Sequence, residues 1–492
     1  LRVLEAAADL GAERVLELVE AALVSGLVVE DPHVLGRCRF SHDLVREAIV
    51  EELTSLRRAR LHARLAQALE ALYGGDDERA VELAHHFFEA GTAGSPERAI
   101  DHSLRAARVA IARLAHEQAH DLLNRALEVA RSLPAGSHRD RRELDVLLPL
   151  SSLVAMTKGF AAAEAHELLA RALALCEQLG ESHEVVPVLW RLVSFHNVSA
   201  QLDAARHFAD QLLEVATRSG QAAELVAAHH SVSVTALQQG RLAEARRHLE
   251  AALALRRGYT THGSLPGSPS TRVMCSTFLA WTLALMGDQR RAQELAETAL
   301  TFADRLSQDF TTVHALLFDA WTAAWAGDFQ RARRRAEEAV EFAEAKGFAL
   351  YSGLARVYFG WAQAELGELE IGAKQIRDGL AAMEGTGAWM LHTFFLALLA
   401  EAQWRAGRPD QALVSVEEAL KLVETTGERF YEAELHRLRG ELVLVLSPQE
   451  VAQSEREMLE ALALAQDQGA GMLELRVADS LRRLGARTPD SS

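Results

Sequence analysis

Cysteine, proline and excess positive charge are scarce in this chain, and each scarcity excludes something. Cys38, Cys176 and Cys275 are the only cysteines in 492 residues, an odd number with no paired spacing. A disulfide framework is excluded, and free, packed thiols in a reducing, cytoplasmic compartment are expected. Ten prolines and five tyrosines accompany abundant Ala, Leu, Glu and Arg, the composition of an all-helical protein. No run of about 18 apolar residues occurs, so nothing reads as membrane-spanning, and no signal-peptide pattern opens the chain. The net charge is −17, which repels a nucleic-acid backbone on average. Arg333-Arg334-Arg335 shares its helix with Glu337, Glu338 and Glu341 and reads as a solvated face. No GxxxxGK[ST] loop is present, and no Ser/His/Asp or Cys/His set stands at a recognised catalytic spacing. The expectation is a non-enzyme with no metal or cofactor of its own.

Repetition is what the chain does have. Gly287, Gly327, Gly367 and Gly407 stand forty residues apart, each after an apolar helical stretch. Small residues follow each at +5 and +12: Ala292 and Ala299, Ala332 and Ala339, Gly372 and Gly379, Ala412 and Ala419. Gly240 with Ala245 and Ala252 is one register earlier, and Gly347, Gly387 and Gly427 form a second comb, with Gly180 and Gly220 upstream. A fixed period of this size is the signature of stacked helical hairpins. Positions seven apart lie two turns along one helix face, so small residues there let two helices approach closely. Such arrays are expected to lack a buried pocket and to act by presenting a concave surface.

The periodic units fall near 96–132, 138–179, 183–219, 221–257, 271–306, 309–346, 349–385, 388–426 and 429–468, with a capping helix near 471–485 and a frayed tail. A Gly/Pro/Ser/Thr loop at 258–270 stretches the Gly240–Gly287 spacing to 47 and reads as a tolerated surface insertion. Residues 1 to about 55 differ from the rest. Two amphipathic helices (1–9 and 12–25) precede two short strands, 26–30 and 37–40, around Asp31-Pro32-His33. Ser41 is expected to cap the next helix, with Asp43 in its first turn. Helix, helix, two-stranded wing, helix is a winged-helix order. Linker helices fill 56–95, split by Gly74-Gly75-Asp76-Asp77. The chain enters a helix directly at Leu1, which suggests a fragment of a longer protein.

The segments TFLAWTLALMGDQRRAQELAETAL (277–300) and LFDAWTAAWAGDFQRARRRAEEAV (317–340) resemble the tetratricopeptide repeat family. They carry its small residue in the first helix (Ala280, Ala320), its Gly-Asp turn and its two second-helix alanines. The units exceed the usual 34 residues, so they look like an extended variety. The resemblance implies an all-α solenoid of about nine helix pairs over 96–470, wound as a right-handed superhelix. It also implies a concave groove faced by Trp281, Trp321 and Trp361, which are forty apart, and by His314, Phe394 and Trp404. Three tryptophans left in water would forgo several kcal/mol, so either a partner covers them or neighbouring helices do.

His116-Glu117-Gln118-Ala119-His120 spells the HExxH of zinc peptidases. Ala119 and Ala126, however, occupy the same small slots as Ala292 and Ala299, and no third His follows, although Glu128 and Glu143 stay open as ligands. The helical-repeat reading is preferred. His85-His86 and His229-His230 are adjacent pairs expected to point to different helix faces, which suits no metal.

CRFSHDLVREAIVEEL (38–53) resembles the winged-helix segment of STAND proteins, the signal-transduction ATPases with numerous domains, which contains an MHD-type triplet. Ser41-His42-Asp43 is the counterpart here, with Ser in place of Met. RRARLHARLAQALEAL (57–72) and AVELAHHFFEAG (80–91) are similar to the linker helices of bacterial members. The resemblance implies that His42, with Asp43, senses ATP or ADP held by an upstream nucleotide-binding domain. The bland alternative is that Ser41 and Asp43 only cap a helix and His42 is a surface residue. The implied function is a non-catalytic sensor that binds a protein partner or small effector in the solenoid groove, with effector-driven oligomerisation and no direct nucleic-acid or membrane contact. A plain protein-interaction scaffold without nucleotide switching is the alternative. A winged-helix DNA binder is disfavoured, because 12–25 offers Arg14 against Glu13, Glu17 and Glu20.

Overall fold

The computed structural model describes residues 2–8, 10–31, 37–180, 182–255, 270–306 and 308–486. Twenty-four α-helices and one two-stranded sheet carry their regular structure, apart from two short 3-10 turns. The chain divides into two compact units, Leu1–Leu153 and Val154–Ser492. The turn at Pro32-His33, the loop 258–269 and the tail 488–492 lie outside the described residues.

The first unit opens with α1 (Arg2–Ala8), α2 (Ala12–Val24), the antiparallel strands β1 (Val28–Glu30) and β2 (Cys38–Phe40), and α3 (Asp43–Glu51). Val28 pairs with Phe40 and Glu30 with Cys38. Leu27 lies just before β1, and its carbonyl accepts from both Ser41 N (3.0 Å) and Ser41 Oγ (3.2 Å). This corrects the expected cap. The Ser41 hydroxyl is engaged by Leu27, and His42, in extended backbone, stands at the N-cap of α3 without a side-chain bond. Next come α4 (Ser55–Tyr73), α5 (Ala80–Glu89), α6 (Pro96–Ala112), α7 (His116–Ser132) and α8 (Ser137–Lys158), the last of which runs into the second unit. Ser95 caps α6 by accepting from Arg98 N at 3.4 Å, and Pro96 occupies its first turn, where a missing N–H leaves no bond unmade. Ala66, Leu69, Leu83, Phe87 and Ala99 form a small core here, tied on its rim by Glu70–Arg98 (2.6 Å) and Asp77–Arg105 (2.7 Å).

The second unit is a run of antiparallel hairpins: α9 (Ala163–Leu179), α10 (Ser182–Val198), α11 (Leu202–Ser219), α12 (Ala222–Gln238), α13 (Leu242–Leu255), α14 (Thr271–Leu285), α15 (Gln289–Leu306) and α16 (Asp309–Trp325). The run continues through α17 (Phe329–Lys346), α18 (Ala349–Glu365), α19 (Leu369–Glu384), α20 (His392–Arg405), α21 (Pro409–Thr426), α22 (Glu432–Leu446), α23 (Val451–Gln468) and α24 (Gly471–Gly485). First and second helices of a hairpin bury themselves differently. In α14 every residue except Arg272 is buried, whereas α15 buries only Ala292, Ala296, Ala299 and Ala303. The same four-alanine stripe recurs in α17 at Ala332, Ala336, Ala339 and Ala343. These alanines are the close-approach points that the spacing marks out.

Glycines let α18 and α19 approach closely. A β-carbon on Gly360 would sit 2.6 Å from the Gly372 carbonyl oxygen, and one on Gly379 would sit 2.8 Å from that of Gly353. The two combs of glycines have a backbone reason. Gly287, Gly327, Gly367 and Gly407 turn each hairpin at φ between 77° and 98°, and Gly180, Gly220, Gly347 and Gly427 end second helices in the left-handed conformation.

Two buried carboxylates of the second unit are paired with arginines. Asp319 in α16, with its side chain 1% exposed, takes Arg331 Nη2 at 2.5 Å and Arg335 Nε at 3.0 Å. The arginine run of α17 is therefore not simply a solvated face, as its sequence implied. Arg335 neutralises a buried carboxylate, while Arg334 is exposed. Glu434 is equally buried and binds Arg437 (2.6 Å) and Arg476 (2.9 Å), joining α22 to α24.

Candidate functional site

Five first helices of the second unit turn the same face toward one another. On α14 that face carries Met274, Phe278 and Trp281; on α16 it carries His314, Phe318 and Trp321. The positions recur at i, i+4 and i+7, the stripe of a single helix face. From α10 come Trp190, Val193, Ser194, Asn197 and Val198, from α12 His230, Ser231 and Val234, and from α18 Leu350, Tyr351, Leu354 and Tyr358. Among them lies a cavity of about 140 Å³, which Trp321 does not reach, with Leu317, Phe160, Met390 and Leu391 completing its lining. A partly enclosed cavity is a departure from the sequence reading, which expected an open groove only.

Two loops made the difference. The last carbonyl of α10, Val198 O, accepts from Trp389 N (2.8 Å) and Met390 N (2.9 Å), in the loop before α20. One repeat later the last carbonyl of α12, Gln238 O, accepts from Arg429 N (2.8 Å) and Phe430 N (3.2 Å), in the loop before α22. Helix C-termini leave carbonyls without an intrahelical partner, and here segments almost two hundred residues away supply the donors. These loops bring Leu391 to the cavity lining and seat Phe430 against Trp281, with ring centroids 5.3 Å apart. Glu428 holds the first loop in place: it accepts from Leu391 N (2.5 Å), Thr393 N (3.2 Å) and Thr393 Oγ1 (2.8 Å). Burial pushes its carboxyl up to about 7, against the lowering effect of those bonds.

The cavity wall carries no formal charge at neutral pH. No Asp, Glu, Lys or Arg lines it among the described residues. Burial holds His230 down at about 4 and, with His230 beside it, His314 at about 3, so both imidazoles are neutral. Burial raises the Tyr351 and Tyr358 phenols well above their ordinary value. His314 Nε2 is partnered by Thr277 Oγ1 at 2.9 Å, Asn197 Oδ1 by Thr235 Oγ1 at 3.0 Å, and the Ser194 hydroxyl donates to Trp190 O at 3.0 Å. His230 differs. Only 6% exposed, it has no hydrogen-bond partner on either ring nitrogen, and its ring meets Phe278 edge-on at 5.5 Å.

No protein-family profile matches the chain, and no curated protein does. Among solved structures it is similar to a Rap protein complexed with Competence and Sporulation Factor. The identity is 12%, over 79% of this chain and 99% of that one, with a TM-score of 0.50. The apo quorum sensor NprR from B. thuringiensis matches at 13% identity, over 75% of this chain and 99% of that one, with a TM-score of 0.45. A STAND protein with a tetratricopeptide repeat sensor from Pyrococcus horikoshii matches at 11%, over 96% of this chain and 62% of that one, with a TM-score of 0.37. The fold is a tetratricopeptide-like solenoid. At these identities the likeness speaks to architecture alone.

Within this solenoid the expected groove residues part company. Trp281 and His314 line the cavity. Trp321 and Phe394 are packed away at 1% and 0% exposure, Trp361 at 7%, and Trp404 is half-buried. Trp321 sits between Trp281 (edge-on, 5.1 Å) and Trp325 (tilted, 4.1 Å), and Phe394 meets Tyr431 edge-on at 4.7 Å. Trp321 and Trp361 of the stripe are packed against neighbouring helices, whereas Trp281 also lines the cavity. His230, Phe278, Phe318 and Met390 were missed. The forty-residue recurrence of Phe278, Phe318 and Tyr358 was a usable signal; the arrival of Met390 from a distant loop had none.

In the first unit, His42 and Asp43 are both exposed at the start of α3. The HExxH pair is separated in role: His120 Nδ1 lies 3.0 Å from Asn124 Nδ2, a contact one turn along α7. One metal reading needs correction. His85 and His86 do not diverge; with His62 of α4 they place one ligand nitrogen each within 4.8 Å of one another. Adjacent α5 residues meet because His62 reaches between them, and His62 Nδ1 lies 2.9 Å from His86 Nδ1, one imidazole donating to the other. Burial, then the neighbouring imidazoles, lowers both of those pKa values. His436, Glu457 and Glu460 also converge, but Arg439 already binds Glu457 at 2.6 Å. No helix among the described residues is long and apolar enough to cross a membrane.

Proposed function

We propose that the chain is the sensor and regulatory portion of a STAND-type signalling ATPase. In this reading residues 1–55 are a winged-helix segment, 56–95 a linker, 96–470 the solenoid and 471–492 its cap. An upstream nucleotide-binding domain holds ATP or ADP, and an effector bound in the solenoid releases the winged helix from it. Such coupling requires an effector with higher affinity for the released state. The cavity of the second unit carries the sensing half of the proposal, since packing alone leaves few voids and those small. The regulatory half is supported by the first unit. Val24, Leu44, Leu18 and Leu16 are 90, 77, 48 and 46% exposed there, an apolar surface suited to docking on another domain. His42, exposed and adjacent to Asp43, is available to reach a group outside the chain.

The test is ADP retention by the longer protein with its nucleotide-binding domain. His42→Ala is expected to shorten ADP retention and to activate without effector. Unchanged retention favours the plain interaction scaffold instead.

A further inference from the structure

We propose that the cavity of the second unit is a binding site for a small, uncharged, ring-containing molecule bearing one hydrogen-bonding group, which pairs with His230. The inference rests on reading the second unit as the sensing part, and it adds the chemical class of the effector.

Size limits the ligand first. A cavity of about 140 Å³ matches the engineered apolar cavities of about 150 Å³ that take up benzene. It suits one ring with one or two short substituents, and excludes a peptide or a nucleotide as a fully enclosed ligand. Charge limits it next. With no ionised side chain in the wall, a carboxylate, phosphate or ammonium would be desolvated without a counter-charge, which is strongly unfavourable. The walls then favour a ring: Trp190, Phe278, Trp281, Phe318 and Tyr358 all contribute aromatic surface.

Two side chains of the wall, His230 and Trp281, bury ring nitrogens that have no hydrogen-bond partner, and His230 leaves two of them. Buried polar groups are almost always hydrogen-bonded, and each exception calls for an explanation. His230 lines the cavity with both ring nitrogens unpartnered, while His314, Asn197 and Ser194 are all engaged by protein groups. A neutral imidazole donates from one nitrogen and accepts at the other, so a hydroxyl or indole N–H on the ligand supplies the donor its acceptor nitrogen lacks. A sugar would bring many hydroxyls to a wall whose unpartnered polar groups are His230 and the Trp281 N–H, which leaves most of those hydroxyls unpaired.

The 492-residue chain is titrated with phenol and indole, with toluene as the apolar isostere and benzoate as the charged one, by calorimetry and by tryptophan fluorescence. Phenol and indole are expected to bind at least about tenfold more tightly than toluene, the worth of one hydrogen bond with a buried partner. Benzoate is expected not to bind. His230→Leu should erase the preference for phenol over toluene while leaving toluene binding within about threefold. Leu354→Trp, which fills the space, should abolish binding of all three and serves if His230→Leu does not fold. Absence of phenol and indole binding, as in a cavity that simply holds water, overturns the proposal; so does equal binding of benzoate, or a preference that survives His230→Leu. The two readings fail separately. If His42→Ala alters ADP retention but no probe binds, the ligand class is wrong and the sensor reading stands. If probes bind through His230 but ADP retention ignores both probe and His42→Ala, the site stands and the switch falls.

Discussion

Two stretches of similar helical appearance use their apolar residues in opposite ways. Between residues 10 and 53, α2 buries Val15 alone and α3 buries nothing, although both carry leucines and valines at helical spacing. In the second unit α14 and α16 bury nearly their whole circumference. Amphipathic periodicity says that a face wants covering, not what covers it. In the second unit the coverage comes from neighbouring hairpins and from loops that return from far along the chain. In the N-terminal segment the described residues cover little beyond Val15, and Val24 and Leu44 remain in water.

That contrast predicts where substitutions hurt. The largest effect is expected at Glu434, whose removal leaves Arg437, itself 5% exposed, with Glu441 (3.1 Å) alone as its carboxylate partner, and Arg476 without its buried one. Glu434→Ala should cost about 3–5 kcal/mol by urea denaturation. Next comes the pH response of Glu428. Its folded pKa of about 7 lies above the ordinary 4.5, so the stability it contributes is complete below pH 4.5 and is lost as pH rises to 7. Relative to wild type, Glu428→Gln should gain about 3 kcal/mol between pH 4.5 and 7.5. His230 has the opposite sign: its folded pKa of about 4 lies below 6.5, so its stability is present above pH 6.5 and is lost on acidification toward 4. The pH slope of His230→Leu should therefore flatten on the acid side, which denaturation at pH 5 and 7 would read.

Overpacking comes third. Ala332→Leu, Ala292→Leu or Gly379→Ala should each destabilise by about 1–3 kcal/mol, because the facing helix backbone leaves no room. Smallest of all, Leu44→Ser in the N-terminal segment should change stability by less than about 0.5 kcal/mol. A loss of 2 kcal/mol there would mean that the exposed face is covered in solution, and the contrast between the two regions would fail.

The hairpin array was legible because its signals are local. Gly327 turns a hairpin, Gly347 ends a helix, and Ala332 and Ala339 mark one face, all within a single repeat. The capping of α3 was not, because Ser41 could bond forward to its helix or back to Leu27, and only the hairpin's position decided. His85 and His86 were misjudged for the same reason: helix geometry separates them, but His62 from another helix brings them together. At the cavity, Trp281 and His314 were found by their period, and His230 was not, since nothing in the chain marks a histidine that lacks a partner.

The sequence alone determined the hairpins, their turns and the small residues that hold paired helices close, because each depends on backbone conformation and on neighbours within about forty residues. Only the tertiary structure decided that Met390 and Phe430 return to the ends of α10 and α12, that most of the tryptophan stripe is sealed, and that an uncharged cavity with one unpartnered imidazole remains. Those outcomes depend on how small rotations accumulate from one hairpin to the next, and no short-range pattern of residues encodes that sum.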